Sequence, residues 1–338
     1  HLRPVVVLER NLFGVDIAPM GAQVAALTLW MRAQRAFRDA GVKPADRRTI
    51  RRTRIVVAEP MPGDEEMVRA FASELRPPLL GDLFRRMVDE MKLAGELGTL
   101  LRVEEAIAGE LQRARKEFVE QRQRGDYLPG MEPEHRQGEL DFSGIDDADF
   151  FHHAEELIVG ALRRFAEETA NGGSVRRRLF AEDAAQGIAL IDVCRTRFDV
   201  IVTNPPLSDA PVNVGKAHFH EYKRLCKTEL GPAFVLRAEE LLILGGRTGI
   251  ICNRTPFFIK GFSAFRQRLM RDTTIDTVID IGHGDFEGAV VEIVAVCLSS
   301  GPIDSVLRSP FLAVNLQGST DRGAELERAV REIGRAHV

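Results

Sequence analysis

Asn204, Pro205 and Pro206 follow directly on the apolar run 198–203, whose β-branched residues predict a buried parallel strand. Neither proline can donate a ladder hydrogen bond, so the strand must stop here. A loop at the carboxyl end of a parallel strand lies where open α/β sheets bind ligands. The Asn204 side chain and the proline carbonyls are hydrogen-bond acceptors. Together they predict a site that grips an amino group.

Such a site suits one difficult reaction. The exocyclic amine of adenine is a poor nucleophile because its lone pair is delocalised into the ring. A catalyst that accepts hydrogen bonds from both N–H groups frees that lone pair, and the Asn204 oxygen and the Pro205 carbonyl could do so. The alternative is a plain strand-ending turn, since Pro-Pro commonly marks loops.

Length and charge bound the possible functions. The 338 residues are enough for one large α/β domain or two smaller ones. The 46 basic and 50 acidic residues give a formal net charge of −4, which excludes a wholly basic nucleic-acid surface but not a local basic stripe. No apolar run is long enough to predict a membrane span, and the first residues lack a signal-peptide pattern. We therefore expect a cytoplasmic protein.

The cysteines predict no metal site. Their spacing does not match a zinc motif, and Cys194, Cys252 and Cys297 lie in or beside apolar segments. We expect these three to be buried, reduced thiols.

The segments before the Asn-Pro-Pro loop predict β-α units followed by a long helical region. Residues 12–17 predict a strand, and 18–37 a helix with one apolar stripe, Val24, Leu27, Trp30 and Met31. A second strand, 55–58, is followed by Glu59. Residues 5–8 also have an apolar strand pattern. We interpret 64–195 as a helical insertion between two strands of one sheet.

The segments after the loop predict the rest of a sheet. An amphipathic stretch, 216–244, is followed by Gly245-Gly246, which we interpret as a helix stop. Strands are predicted at 248–252, 275–281 and 290–298, with a helix at 262–272. The last two strands are separated only by the loop 282–288. They should be antiparallel, because a parallel crossover needs about a dozen residues or more.

Asn204-Pro205-Pro206 resembles the signature of amino-group methyltransferases that use S-adenosylmethionine, although Leu207 stands where that signature has an aromatic residue. The order of motifs over residues 11–299 resembles N6-adenine DNA methyltransferases, especially the large type IIG restriction-modification and BREX phage-exclusion enzymes. The resemblance implies a Rossmann-like α/β fold with a mostly parallel sheet and an antiparallel final hairpin. It also implies S-adenosylmethionine as cofactor, no metal, and double-stranded DNA with a flipped adenine as partner.

The resemblance also implies roles for the cofactor residues. Asp16 would receive the ribose hydroxyls, and Ile17 would flank the adenosine. A strand-end carboxylate can accept two O–H donors, as in dinucleotide sites; the alternative for Asp16 is a helix N-cap. Glu59 would contact the cofactor's adenine amino group, with Asp192 as the competing candidate and a solvated turn carboxylate as the alternative.

The same resemblance implies that Asn204, Pro205 and Pro206 are the catalytic residues. It also implies that Leu207 and Phe286 bind the target base. A flipped base needs an aromatic or apolar face to replace its lost stacking. Phe286 lies in the glycine-rich loop 282–288; the alternative is a core phenylalanine.

We divide the chain into five parts: 1–63 and 196–300 of the methyltransferase domain, the insertion 64–195, a following segment 301–331, and a tail 332–338 that resembles a translated sequencing adapter or, alternatively, an ordinary helix end. The family's glycine-rich cofactor loop and first, central strand would lie before residue 11. We expect them to be missing and the fragment to bind cofactor poorly. Two rival functions remain: methylation of another amino or amide group, such as a protein glutamine, and a non-catalytic binding module.

Overall fold

The computed structural model describes residues 3–50, 53–76, 78–123, 147–167, 174–209, 220–283, 292–301 and 311–336. The chain folds as two compact units, His1–Arg195 and Thr196–Val338. None of the helices in these ranges is long and apolar enough to cross a membrane.

The first unit contains a two-stranded parallel sheet and a set of helices. Strand β1 (Phe13–Asp16) pairs with β2 (Arg54–Val57), so that Asp16 lies opposite Val57. The positions of both strands agree with the prediction to within one residue at each end. The described helices of this unit are α1 (Arg3–Val6), α2 (Pro19–Asp39), α3 (Glu65–Glu74), α4 (Leu79–Glu90), α5 (Ala94–Leu97), α6 (Val103–Ala106), α7 (Ala108–Gln123), α8 (Asp147–Glu167) and α9 (Ser174–Arg195).

One local prediction for this unit was wrong. Residues 5–8, predicted as a strand, lie in α1 and the π-helix Val7–Asn11 that follows it, with Val5 and Leu8 buried on one side. The apolar stripe of α2 is about half exposed, whereas its buried residues are Ala22, Ala33 and Phe37. The periodicity correctly predicted a helix. It could not predict that no described element covers the stripe.

Four phenylalanines form the centre of the helical region. Phe71 of α3 contacts Phe84 of α4, with 4.8 Å between ring centroids, and Phe165 of α8, with 5.3 Å. Phe180 of α9 completes the group at 6.0 Å from Phe71. The rings meet edge to face, the arrangement that aromatic quadrupoles favour. This cluster joins helices that are far apart in the sequence.

The second unit is built on a five-stranded sheet with the order β3-β4-β6-β5-β7. Strands β3, β4, β5 and β7 run parallel to one another and only β6 is antiparallel. The fold is therefore α/β with a mostly parallel sheet and an antiparallel final hairpin, as predicted. Its strands are β3 (Phe198–Thr203), β4 (Leu242–Asn253), β5 (Thr273–His283), β6 (Glu292–Ser300) and β7 (Leu312–Asn315).

Helices connect these strands. They are α10 (His220–Cys226), α11 (Leu230–Glu240), α12 (Thr255–Phe258), α13 (Ser263–Asp272) and α14 (Arg322–Ala336). Helix α14 runs through to Ala336 and therefore includes residues 332–336. Strand β7 pairs with β5, so the sheet extends beyond the boundary predicted at residue 300.

The interpretation of Gly245-Gly246 as a helix stop was wrong. Helix α11 ends at Glu240, and both glycines lie inside β4. Gly245 has a φ of 81°, a conformation that glycine adopts without steric cost, at the point where the register between β3 and β4 shifts. Leu242 pairs with Phe198, so β4 begins only two residues after the end of α11.

The prediction that 64–195 is inserted between two strands of one sheet stays a prediction. In the first unit β2 pairs with β1, and in the second unit β3 pairs with β4. Strand β3 is an edge strand among the described residues, and Val200 and Val202 are 64% and 83% exposed. The strand is parallel as predicted. It is not buried, because no described element covers the face with these two valines.

Removal of the Phe71 ring should destabilise the helical region. Phe71 is buried at the centre of the cluster, so Phe71→Ala leaves a cavity among three other rings. We expect a loss of about 3–5 kcal/mol in the free energy of unfolding, the range for large-to-small aromatic substitutions. Leu179→Ala, at an exposed position of α9, is the control and should change stability by roughly 0.5 kcal/mol or less. Urea unfolding followed by circular dichroism measures both, and equal stabilities of the two variants would contradict the prediction.

Candidate active site

The Asn-Pro-Pro loop leaves the sheet at the carboxyl end of β3. Thr203, the last residue of β3, pairs with Ile250 of β4, and β4 continues to Asn253. Pro205 and Pro206 have no N–H to offer β4, so the chain turns away at this point. Pro205 is buried and anchors the turn, while Asn204 and Pro206 are exposed and Leu207 is 38% exposed.

Two acceptors of this loop are available to a ligand. Among the residues that the structure describes, neither the Asn204 side chain nor the Pro205 carbonyl has a hydrogen-bond partner. An amide side chain and a carbonyl that are adjacent in the sequence match a group with two N–H donors. Binding of an amino group by this loop stays a prediction.

The residues after the prolines fasten the loop to the turn before α11. The Leu230 amide donates to the Ser208 carbonyl at 3.1 Å, and the Thr228 hydroxyl to Asp209 Oδ1 at 3.0 Å. Asp209 also forms an isolated antiparallel bridge with Glu229. These contacts hold the loop immediately downstream of its two acceptors.

A side-chain pair links that turn to the end of β4. The Asn253 amide nitrogen donates to Glu229 Oε2. Asn253 is the last residue of β4, so the turn is joined to the same edge of the sheet from which the loop departs. Sequence reasoning missed both residues. The available signal was the polar pair Asn253-Arg254 directly after an apolar strand.

Two thiols lie near Glu229. Burial, with a smaller contribution from the Glu229 carboxylate, raises the pKa of Cys226 and of Cys252 to about 12. Both thiols are therefore protonated at neutral pH and unreactive as nucleophiles. Burial of Cys194 and Cys252 confirms the sequence prediction, but Cys297 is exposed, because its side chain projects from the exposed side of β6.

In the first unit, Asp16 lies at the carboxyl end of β1. Its Oδ1 accepts a hydrogen bond from the Ala18 amide at 2.8 Å, which turns the chain into α2. This bond is made to the residue that precedes the helix, so Asp16 is not a standard N-cap. The other oxygen, Oδ2, faces Gly21, where an added Cβ would lie only 2.7 Å away. Asp16 and Ile17 are both exposed and accessible to a ligand.

Glu59 and Asp192 are the two candidates for contact with the cofactor's adenine amino group, and only Glu59 lies at the same edge of the sheet as Asp16. Glu59 is exposed and follows the end of β2, and the Ala58 amide donates to the Asp16 carbonyl at 2.8 Å. Asp16 and Glu59 thus share the carboxyl edge of the two-stranded sheet. Asp192 instead accepts from Arg54 Nη1 at 2.7 Å, at the opposite end of β2.

Phe286 lies outside the described residues. The strands on either side of its loop end with the pair His283 and Glu292, at the carboxyl end of β5. Because β3 and β5 are parallel to β4 and to each other, this is the same edge of the sheet as Asn204. Arg254 joins the two flanking strands, with 2.8 Å to Asp280 Oδ2 of β5 and 3.1 Å to Glu292 Oε2 of β6.

A mostly parallel sheet with exposed acceptors at its carboxyl edge is the architecture of nucleotide- and cofactor-binding α/β proteins. Residues 10–286 match the Eco57I restriction-modification methylase family. The chain belongs to this family. The family match includes the Asn-Pro-Pro loop, Asp16, Glu59 and Phe286. No curated protein matches the chain significantly.

Solved structures resemble the chain only distantly. A protein of Listeria monocytogenes assigned to the class I S-adenosylmethionine-dependent methyltransferases has 14% identity and a TM-score of 0.35, over 79% of this chain and 96% of that one. The DNA-bound ATP-dependent Type ISP restriction-modification enzyme LlaBIII has 13% identity and a TM-score of 0.35, over 82% and 21%. A type I restriction-modification structure has 13% identity and a TM-score of 0.28, over 48% and 50%.

The chain thus spans half of that type I protein and about a fifth of LlaBIII. With every TM-score below 0.5, the family match carries the assignment. The family's methylase chemistry implies S-adenosylmethionine as cofactor.

Because Gly21 lies against the Asp16 carboxylate, a substitution of Gly21 should change cofactor binding without lowering the stability of the protein. Gly21→Ala should maintain or raise stability, because alanine favours a helix by about 1 kcal/mol over glycine. The new Cβ would displace the Asp16 carboxylate and weaken S-adenosylmethionine binding by about tenfold, roughly the loss of one hydrogen bond to a charged group.

Calorimetry and thermal unfolding of the full-length protein measure the two quantities. Asp16→Ala is the positive control and should weaken binding at least as much. Gly109→Ala is the matched control, since this helical glycine has open space around its Cβ position. If Gly21→Ala binds the cofactor as tightly as the wild type, Asp16 does not contact it.

Proposed function

We propose that this chain is the methyltransferase domain of an enzyme that transfers a methyl group from S-adenosylmethionine to the N6 atom of adenine in DNA. The observation that carries the proposal is the Asn-Pro-Pro loop: an exposed Asn204 side chain and the Pro205 carbonyl, both without described hydrogen-bond partners, at the carboxyl edge of a mostly parallel sheet. Membership in a restriction-modification methylase family supports the same chemistry.

The reaction depends on freeing the lone pair of the target amine. The Asn204 side-chain oxygen and the Pro205 carbonyl would accept its two N–H groups, which draws electron density back from the ring to the nitrogen. Pro206 would keep the loop in one conformation, because its φ is fixed and it carries no competing donor. The loop thus orients the nitrogen that receives the methyl group.

The cofactor would be held by residues of the first unit. When bound, S-adenosylmethionine supplies an electrophilic methyl group. Asp16 Oδ2, which is not engaged by the Ala18 amide, would accept the ribose hydroxyls. Ile17 would cover the adenosine, and Glu59 would accept from its amino group. The exposed carboxylate and the missing side chain at Gly21 fit this use.

Double-stranded DNA is the proposed partner, with the target adenine flipped out of the helix. Chemistry on a base requires its extrusion from the stack. Leu207 and Phe286 would then contact its two faces. An enzyme of this kind acts in a restriction-modification or phage-defence system, and we expect it in the cytoplasm, where such DNA is encountered. The motif order resembles that of type IIG and BREX methyltransferases, which favours such a system.

Leu207 favours a second candidate, a binding module that keeps the fold without the chemistry. An aromatic residue at this position would supply about 1–3 kcal/mol of stacking on the base, and leucine supplies only apolar contact. Methylation of another planar amine or amide, such as a protein glutamine, requires the same acceptors. The product of the reaction separates these possibilities from adenine methylation.

Asn204→Ala should abolish methyl transfer while cofactor binding persists. Loss of one preorganised polar group that acts in the transition state costs roughly 10²- to 10³-fold in rate. The test is transfer of tritiated methyl groups from S-adenosylmethionine to DNA by the full-length protein. Mass spectrometry of the nucleosides then shows whether N6-methyladenine is formed.

Asn204→Asp is the matched control, since aspartate keeps a side-chain acceptor and should retain measurable activity. Transfer by Asn204→Ala at the wild-type rate would refute the role of Asn204. A wild-type protein that binds DNA but methylates no base would favour the binding module.

Leu207 and Phe286 should contribute unequally to base binding. If leucine gives only apolar contact, Phe286 supplies most of the stacking, so Phe286→Ala should weaken target binding by about tenfold or more and Leu207→Ala by less. Leu207→Tyr should maintain or raise activity. Fluorescence of 2-aminopurine at the target position, together with the methylation rate, measures both effects. Unchanged flipping and rate in Phe286→Ala would show that Phe286 does not contact the base.

A further inference from the structure

We infer that Glu229 and Asn253 are positioning residues that hold the Asn-Pro-Pro loop in place for the transfer reaction. The inference rests on the proposed function, because it concerns the same loop. Neither residue belongs to the motif itself.

The loop has few contacts of its own. Asn204 and Pro206 are exposed, and β3 pairs on only one side among the described residues. Downstream of the prolines, its described polar contacts are the Leu230 amide on the Ser208 carbonyl and the Thr228 hydroxyl on Asp209. The two donors are Thr228, in the turn before α11, and Leu230, the first residue of α11. The position of the loop therefore depends on the position of this turn.

The turn is fixed in its centre by Glu229. The Glu229 backbone bridges Asp209, and its carboxylate accepts from the Asn253 amide. A carboxylate can only accept, so the amide nitrogen must face it and the orientation of the Asn253 side chain is determined. Asn253 sits in turn on β4, three residues beyond the partner of Thr203. The loop after β3 is therefore bonded to the turn, the turn to Asn253, and Asn253 is part of β4, which pairs with β3.

The surroundings leave this pair no alternative arrangement. Asn253 Oδ1 is buried without a hydrogen-bond partner among the described residues, and it faces Gly231, where a Cβ would lie 2.5 Å away. Cys252, beside it, is buried and neutral. Only glycine at position 231 leaves room for the amide. A buried polar atom without a partner is costly, so the Asn253 side chain depends on its bond to Glu229.

An exchange of the two functional groups tests the inference. Asn253→Asp places two carboxylates against each other and breaks the link. The double variant Glu229→Gln with Asn253→Asp restores an amide donor and a carboxylate acceptor in reversed positions. Since small misplacements of reacting groups cost large factors in rate, we expect kcat of Asn253→Asp to fall on the order of 10- to 100-fold. The double variant should recover to within a few-fold of the wild type.

Two further readouts separate positioning from loss of folded protein. The KM for S-adenosylmethionine and the stoichiometry of its binding in calorimetry should stay at the wild-type values in all variants. Hydrogen–deuterium exchange of the Leu230 amide, which donates to Ser208, should accelerate in Asn253→Asp and return in the double variant. Gly231→Ala, which forces the amide aside, should accelerate it as well.

The inference is overturned if Asn253→Asp has the wild-type kcat and the wild-type exchange rate of the Leu230 amide. It is also overturned if the double variant folds but recovers neither kcat nor the slow exchange of this amide. Failure of the proposed function gives a different result. In that case the wild type transfers no methyl group to adenine, while the exchange of the Leu230 amide still responds to the variants.

Discussion

The end of β3 at Thr203 is the constraint on which the candidate site depends. Strand β4 continues to Asn253, so backbone partners remain available on the neighbouring strand, yet Pro205 has no N–H with which to use them. The chain must leave the sheet, and its carbonyls are then free of ladder bonds. The same two prolines that stop the strand thus create the acceptors that a donor group can use.

Parallel pairing extends this constraint to the rest of the unit. Because β3, β4 and β5 point in the same direction, the loop after β3, the polar pair Asn253-Arg254 and the last residue of β5 lie along one edge. Strand β6 is the exception, and its antiparallel course is what permits so short a connection from β5. Arg254 then ties the ends of β5 and β6 together through carboxylates on both strands.

The sequence predicted the elements that local pattern determines and missed those that pairing determines. Short apolar runs placed β1, β2 and β3 within a residue or two, and the short loop 282–288 correctly required an antiparallel hairpin. The start of β4 was missed because Leu242 and its apolar neighbours suit the end of an amphipathic helix equally well. Pairing with Phe198, which lies 44 residues earlier, decides the matter.

The candidate site shows the same division. Proline chemistry drew attention to Asn204 in the sequence, and the resemblance to a methyltransferase family to Asp16; the roles of both residues stay predictions. The bond between Glu229 and Asn253 joins residues 24 positions apart, and only the register of β4 brings them together. The contact of Asp192 with Arg54 likewise needed the structure, which places Asp192 at one end of β2 and Glu59 after the other end.

The apolar side chains left open on α2 and on β3 have a consequence for how this chain behaves in solution. A half-exposed helical stripe, and a strand with two exposed valines and one edge that pairs with no strand among the described residues, are surfaces that attract other chains. Excluded salts such as sulfate strengthen burial of apolar surface, so concentrated ammonium sulfate is the condition in which copies of this chain will first associate. Low ionic strength and a dilute sample keep them apart.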